Sequence, residues 1–272
     1  MCKALNISRS TYYKALKSEP SIKQKKYDVF SEKVMHYYLE CKKLYGAIKL
    51  HRVLNDSGIP CSIKRVQRHM KRLGIHSVVI RKYNYKSNQG KVADNKLNIL
   101  KRDFSTNTIN EKWVTDITYI HVINEGWTYL ASVMDLHDRK IIGYSYGKNI
   151  TAELALQAVK NATLNVKDTT GIILHSDLGS QYTSQLFEDY MSEHKFKHSF
   201  SRKGNPYDNA CIESFHSIIK KEEIYLNTYQ DFEEANLAIF EYIESWYNRK
   251  RIHSALEYKT PQQVEDESIQ VA

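Results

Sequence analysis

Three carboxylates stand in the second half of the chain where packing alone would not put them. Asp116 interrupts the run WVTDITYIHV, Asp177 closes the apolar run GIILHSD, and Glu213 lies in NPYDNACIESFHSIIKK. Carboxylates are depleted in strands, and an acid just past the end of a buried strand sits where α/β sheets gather their ligands. Hard divalent cations such as Mg²⁺ take oxygen ligands, typically a few carboxylates completed by water and phosphate. Two such ions about 3.5–4 Å apart activate a water or hydroxyl and steady the leaving oxygen of a phosphodiester. Three carboxylates from three elements are the least such a site needs, and these three are 61 and 36 positions apart.

The elements that must carry them can be read from periodicity. WVTDITYIHV alternates as a strand, NEG turns, WTYLASVMDLHD is a second strand and KIIGYSYG a third. AELALQAVKNATLN has helical spacing, GIILHSD is a short buried strand, SQLFEDYMSEH a helix and KHSFS a brief strand. The order β-β-β-α-β-α-β-α describes an α/β mixed sheet with helices packed on it. The last helix opens on the turn residues Gly204, Asn205 and Pro206, with Asp208 or Asn209 as its cap. Ile212, Phe215 and Ile219 form its core stripe, while Asn209, Glu213 and Lys220 share another side. Taken alone, that polar stripe reads as ordinary solvated charge. Asp116 and Asp177 are what give it another meaning. His175 is expected to be a hydrogen-bonded strand histidine. Asp135 and Asp138 are expected to be solvated, and Gly179–Gln181 to be a tight turn that presents Asp177.

Charge divides the chain. Residues 1–105 carry 24 Lys and Arg against 7 Asp and Glu, a net of +17, whereas residues 106–272 carry 16 against 24, a net of −8. A basic half joined to an acidic one suggests a polyanion-binding part beside a part that does something else. Residues 1–26 look like the end of a helix-turn-helix, with Ser8 as cap and Tyr12, Tyr13 and Leu16 as a packing face for another body. Residues 27–80 read as three helices of a helix-turn-helix DNA-binding domain, with stops at Gly58 and Gly74 and a cap at Ser62. On the third helix Ile63, Val66, Met70 and Leu73 should be buried. Lys64, Arg65, Arg68, Lys71 and Arg72 are its candidate DNA contacts, to bases or to phosphates. Residues 81–105 are polar, basic and aperiodic and read as a linker, with NILKRDF as a possible short helix. Residues 106–228 would form the catalytic core and 229–272 a C-terminal helical segment. There Arg249, Arg251 and His253 are candidates to grip DNA or to cap a helix C-terminus.

The set WVTDITYI, HSDLGSQYTS and NPYDNACIESF, with 35 residues between Asp177 and Glu213, resembles the retroviral-integrase-type DDE transposases. The similarity is greatest to the second-frame protein of a large group of bacterial insertion sequences. YNRKRIHSALEYKTPQQV resembles that group's closing segment, and YGAIKLHRVL its upstream helical module. The resemblance implies a ribonuclease-H-like five-stranded sheet and two Mg²⁺ (or Mn²⁺) ions held by Asp116, Asp177 and Glu213. It also implies nicking at an element end, followed by attack of the freed 3′-hydroxyl on another phosphodiester. Lys220 matches the basic residue expected to hold DNA phosphate near the metals, and Asn209 one expected to orient Glu213 or touch DNA. The implied partners are the element's terminal repeats, target DNA, further copies of the chain, and an upstream helix-turn-helix frame joined by frameshifting. Retroviral integrases carry a His/Cys zinc module at the N-terminus, and this chain has helical modules there instead.

Other chemistries fit less well. Cys2, Cys41, Cys61 and Cys211 show no CxxC spacing, which suits reduced, isolated thiols. A zinc site from Cys41 and Cys61 with His36, His51 or His69 matches no finger pattern. Tyrosine recombination would want His followed three residues later by Arg, but His253 is followed by Leu256. With no apolar run of membrane length and no signal-peptide pattern, the chain reads as soluble and cytoplasmic. The rival readings are a DNA-binding regulator or inactive remnant, and a ribonuclease-H-like nuclease without strand transfer.

Overall fold

The computed structural model describes residues 2, 7–79, 97–202 and 206–271. The expected linker residues 81–96, and Gly204 and Asn205 of the expected turn, lie outside this set. The chain divides into two compact units, Met1–Val78 and Val79–Ala272.

In the first unit α1 spans Arg9–Lys17, with Ser8 Oγ accepting from Thr11 N. It buries no side chain, and Tyr13 and Leu16 are exposed. The unit's core lies in the next three helices, α2 (Ile22–Glu40), α3 (Ala47–Asp56) and α4 (Ile63–Leu73). α2 starts five residues before the expected Tyr27, because Ser21 caps it by accepting from Gln24 N. Ser62 caps α4, and Gly74 ends it in the left-handed conformation at φ 67°, where a Cβ would be strained. Phe30, Val34, Tyr38, Leu50, Leu54, Val66 and Met70 form the core. The buried face of α4 differs from expectation: His69 replaces Ile63, which is exposed. The His69 ring stacks on Tyr27 at 3.9 Å, and its Nδ1 pairs with Ser31 Oγ at 2.8 Å. A polar ring is admitted because one nitrogen is paired and its face is covered.

In the second unit five strands form one sheet in the order β3-β2-β1-β4-β5. These are β1 (Lys112–Val122), β2 (Gly126–Asp135), β3 (Ile141–Gly147), β4 (Ile173–Ser176) and β5 (Lys197–Phe200). β1–β2 and β2–β3 are antiparallel, while β1–β4 and β4–β5 are parallel. The helices α5 (Ala152–Thr163) and α6 (Gln185–Glu193) pack with Trp113, Ala131, Val133 and Leu174 into the main core. Gly143 on β3 permits this: a Cβ there would lie 2.4 Å from both Ala158 O and Ala162 N of α5. The helix α7 (Ala210–Glu222) follows a 3₁₀ turn at Pro206–Asn209.

Residues 97–105, assigned to the linker by composition, pack on this unit. Ile99 N and Leu100 N both donate to Ser199 Oγ, and Leu100 is buried. The short helix considered over NILKRDF is a turn, with Lys101 and Arg102 at φ 47° and 65°. Its amides are taken by Ser199 and by Asn98 Oδ1 rather than by a helical ladder.

The C-terminal segment holds α8 (Phe232–Phe240), a π-helical stretch Glu241–Tyr247 and α9 (Pro261–Val271). Asn248 exchanges two 3.0 Å hydrogen bonds with the backbone of Ile141 at the start of β3. Arg251 makes a double ion pair with Glu222 at the end of α7, with Nη2–Oε1 at 2.8 Å and Nε–Oε2 at 2.9 Å. Tyr242 Oη and Trp246 Nε1 donate to the same carboxylate. The segment is therefore bolted both to the sheet and to the helix that carries Glu213.

Candidate active site

β4 pairs with β1 only from Lys112 to Val114. Beyond Val114 the two strands part, and the fork they leave is where the carboxylates meet. Asp116 lies two residues into the unpaired stretch of β1, Asp177 follows the last residue of β4, and α7 carries Glu213. Asp116 Oδ1 accepts from Ile117 N at 2.8 Å, and Asp177 Oδ1 accepts from Gly179 N at 2.9 Å. The turn at Gly179 is needed for this, since a Cβ there would come within 2.9 Å of Asp177 Oδ1. The Tyr182 hydroxyl, 3.2 Å from Thr115 Oγ1, lies under the site and feels the charges of Asp116 and Asp177.

The electrostatics are those of negative charge brought together. Burial, then the charge of Asp116, raises the Asp177 carboxyl above its ordinary range. Burial, then Asp116 and Asp177, pushes Glu213 up to about 7. Both side chains keep solvent access, which damps these shifts without removing their direction. Lys220, on the same helix, is shifted down by burial and held up by Asp116. Its Nζ stands 4.3 Å from the Tyr119 ring centroid.

Three buried polar atoms on residues next to Asp116 or Thr115 have unmet hydrogen-bonding capacity. Ser132 Oγ, across β1–β2 from Asp116, His216 Nε2 and Asn209 Oδ1 all lack a partner among the described residues. His216 Nδ1 is 3.5 Å from Asp116 Oδ2, and Asn209 Nδ2 donates to Thr115 O at 3.0 Å. Unsatisfied buried groups are rare in native folds and mark places where water or an ion belongs. Among the described residues no group of three or more His, Cys, Asp or Glu side chains stands close enough together, as the side chains lie here, to hold a metal ion. The arrangement is an open set of oxygen donors, mutually repelling and backed by unmet polar atoms, and it fits a hydrated hard cation.

The structure corrects several site expectations. Neither Asp208 nor Asn209 caps α7 through its side chain. Asp208 is fully buried and takes Arg102, Arg202 and Asn98. Asn209, expected to orient Glu213 or touch DNA, is instead buried against β1, where its Nδ2 donates to Thr115 O. Arg251 and His253 are buried too. Arg251 is spent on Glu222, and the His253 ring abuts Tyr247 and Arg251. Of that group only Arg249, with its neighbour Lys250, is exposed. Asp135 and Asp138, expected in solvent, are 1 % exposed: Asp135 accepts from His137 N in the β2–β3 turn and from Asn110 N before β1, and Asp138 accepts from Lys140 N. His175 pairs through both ring nitrogens with Ser199 and Ser201, and burial brings it down to about 4.

In the first unit Lys64, Arg68, Lys71 and Arg72 are exposed and Arg65 is half-buried. Arg65 lies 3.8 Å over Phe30 and Arg72 4.3 Å over Tyr27, so both stems also close the core. A cleft of about 340 Å³ is lined by Lys23, Lys26, Tyr27, Arg65, Arg68 and His69. Lys23 and Lys26 escaped the sequence reading because α2 begins earlier than periodicity implied. His216 escaped it as well, although its place three residues after Glu213 puts the two side by side on a helix. All four cysteines are free thiols, and burial, then Glu40, pushes Cys41 up to about 11. No helix among the described residues is long and apolar enough to cross a membrane.

The sheet-built unit belongs to the integrase-core class of enzymes. Two integrase core domain families match residues 107–206 and 194–261, and an HTH-like domain family matches residues 26–83. The chain is 37 % identical over 247 residues to the transposase for insertion sequence element IS904 of Lactococcus lactis, covering 90 % of this chain and 97 % of that one. It is 34 % identical over 271 residues to transposase InsF for insertion sequence IS3A of Escherichia coli, covering 99 % and 94 %. The magnesium-bound catalytic core of HTLV-2 integrase is similar at TM-score 0.44 and 20 % identity, over 58 % of this chain and 97 % of that one. The chain belongs to the family of insertion-sequence transposases.

Proposed function

We propose that Asp116, Asp177 and Glu213 are the metal-binding catalytic residues of a DDE-type transposase, holding Mg²⁺ or Mn²⁺, two ions per site. The observation that carries this is the meeting of three carboxylates from three elements at the β1–β4 fork, each raising the cost of charging the next. When bound, the ions would activate the attacking water or 3′-hydroxyl and offset charge on the leaving oxygen. Asp116 is held by Ile117 N and His216. Asp177 is fixed by the Gly179 amide, and Glu213 is carried on a helix anchored at both ends, by Asn209 and by Glu222. Lys220 supplies a cation beside Asp116 that suits a DNA phosphate.

The first unit binds DNA, with Lys64, Arg68 and Lys71 facing solvent and Lys23, Lys26 and Arg65 lining an adjacent basic cleft. Work on two element ends calls for more than one copy of the chain, and the unpacked apolar side of α1 suits the upstream helix-turn-helix frame. Acting on the chromosome, the protein would work in the cytoplasm. Asp116→Asn, Asp177→Asn and Glu213→Gln should each abolish Mg²⁺-dependent nicking of an element end while DNA affinity holds. Undiminished nicking in all three variants would refute the assignment. Nicking without joining of a 3′-hydroxyl end to a second duplex would instead mark a nuclease.

A further inference from the structure

The β1–β2 hairpin carries an aromatic cluster that the fold leaves in solvent. Tyr119 is 57 % exposed and Trp127 56 %. Their rings meet edge to face with centroids 5.3 Å apart, and His121 meets Trp127 in the same way at 5.1 Å. The other two tryptophans, Trp113 and Trp246, are 0 % and 2 % exposed. Contiguous exposed apolar surface marks places where a partner or ligand binds, and Tyr and Trp suit such places because an apolar ring carries a polar end.

Its position narrows the ligand. Tyr119 lies three residues beyond Asp116 on β1, so their side chains leave opposite faces of the strand, and Lys220, from the helix that carries Glu213, reaches the Tyr119 ring with its Nζ 4.3 Å from the centroid. The same ammonium group feels the charge of Asp116. One cation therefore neighbours both Asp116 and the exposed Tyr119 ring. A cation suits a phosphate and aromatic faces suit a flat heterocycle, and a nucleotide presents both within one unit. Inside a duplex the faces of a base are covered by its neighbours, so such rings can take only a base that has left the stack.

We propose that Tyr119, Trp127 and Lys220 form a seat for an unpaired nucleotide of the DNA strand that lies at Asp116, Asp177 and Glu213. His121 holds the Trp127 ring upright. The inference rests on the function proposed above, and it adds that the enzyme prefers a frayed or single-stranded end to a closed one. A second copy of the chain could also cover exposed rings, but the adjoining cation favours a polyanion.

Trp127 is a reporter for its own site, because the other tryptophans are buried. The full chain is titrated, in Mg²⁺-free buffer, with a blunt duplex and with the same duplex bearing a short single-stranded tail. The tailed DNA should quench tryptophan emission and the blunt DNA should not. By anisotropy of labelled DNA, Trp127→Ala should lose about fivefold or more of the tailed-over-blunt preference and keep its affinity for the blunt duplex. Trp127→Phe should keep most of the preference. An unchanged preference in Trp127→Ala overturns the seat, as does an emission change that follows protein concentration without DNA, which would mark self-association. The functional reading fails separately, through persistent nicking in the Asp116, Asp177 and Glu213 variants.

Discussion

At the level of single residues, Asp116 is held more elaborately than its two partners. His216 reaches it from α7, so the helix that brings Glu213 also orients the first carboxylate. Groups that orient a metal ligand typically govern affinity by about 10- to 100-fold. His216→Leu should weaken Mn²⁺ binding, followed by calorimetry, by that factor, and His216→Asn should restore part of it through a retained donor. Far from the site, Asp138 tests the electrostatics of burial. Burial, then the charge of Asp135, pushes Asp138 up to about 7. The folded state thus favours the protonated acid, and that contribution to stability is lost as pH rises from about 4 through 7. Asp138→Asn should flatten this loss, raising the melting temperature at pH 8 far more than at pH 4. Asp116 and Asp177 stood out in the sequence because acids in and just past strands violate packing logic, whereas Glu213, on a helix, stood out only through its spacing from them. Arg251 and His253 were misread because a basic cluster in a sequence says nothing of whether its charges are matched in the fold.

At the level of elements, all five strands and the helices α5, α6 and α7 could be read from alternation and 3.6-residue spacing. The strand order could not, since β1's pairing with both β2 and β4 depends on contacts between segments distant in the chain. Nor could the role of residues 97–105, whose polar composition hides a tertiary bond to Ser199. The sharpest dependence between elements is the Glu222–Arg251 pair, with side chains 7 % and 8 % exposed. Removing one partner of a buried pair costs about 3–5 kcal/mol, because the other charge is left unmatched. Arg251→Leu should destabilise the protein by that amount in urea unfolding, and Glu222→Leu/Arg251→Leu should recover much of it. Nicking should fall in the single variant even at temperatures where it stays folded, because α7 loses its C-terminal anchor.

At the level of the whole molecule, the positive charge is concentrated in one unit: Met1–Val78 carries 17 Lys and Arg against 5 Asp and Glu, a net of +12, whereas the sheet-built Val79–Ala272 carries 23 against 26, a net of −3. Each cation that neutralises a DNA phosphate adds about 0.9 to the steepness of log affinity against log salt. Lys64→Ala, Arg68→Ala and Lys71→Ala should each reduce the slope by about that much, whereas His253→Gln, at a buried position, should leave it unchanged. Filter binding across a salt series separates the two outcomes.

The anchor between Glu222 and Arg251 also bears on how copies of such a gene are judged in a genome. A reading frame that stops short of Arg251 still encodes Asp116, Asp177 and Glu213, and by its motifs would be scored as intact. Its product would keep all three acids but leave Glu222, the last residue of the helix that carries Glu213, without its cation. A census of living elements that counts only the three acids would therefore include copies whose catalytic helix has come loose.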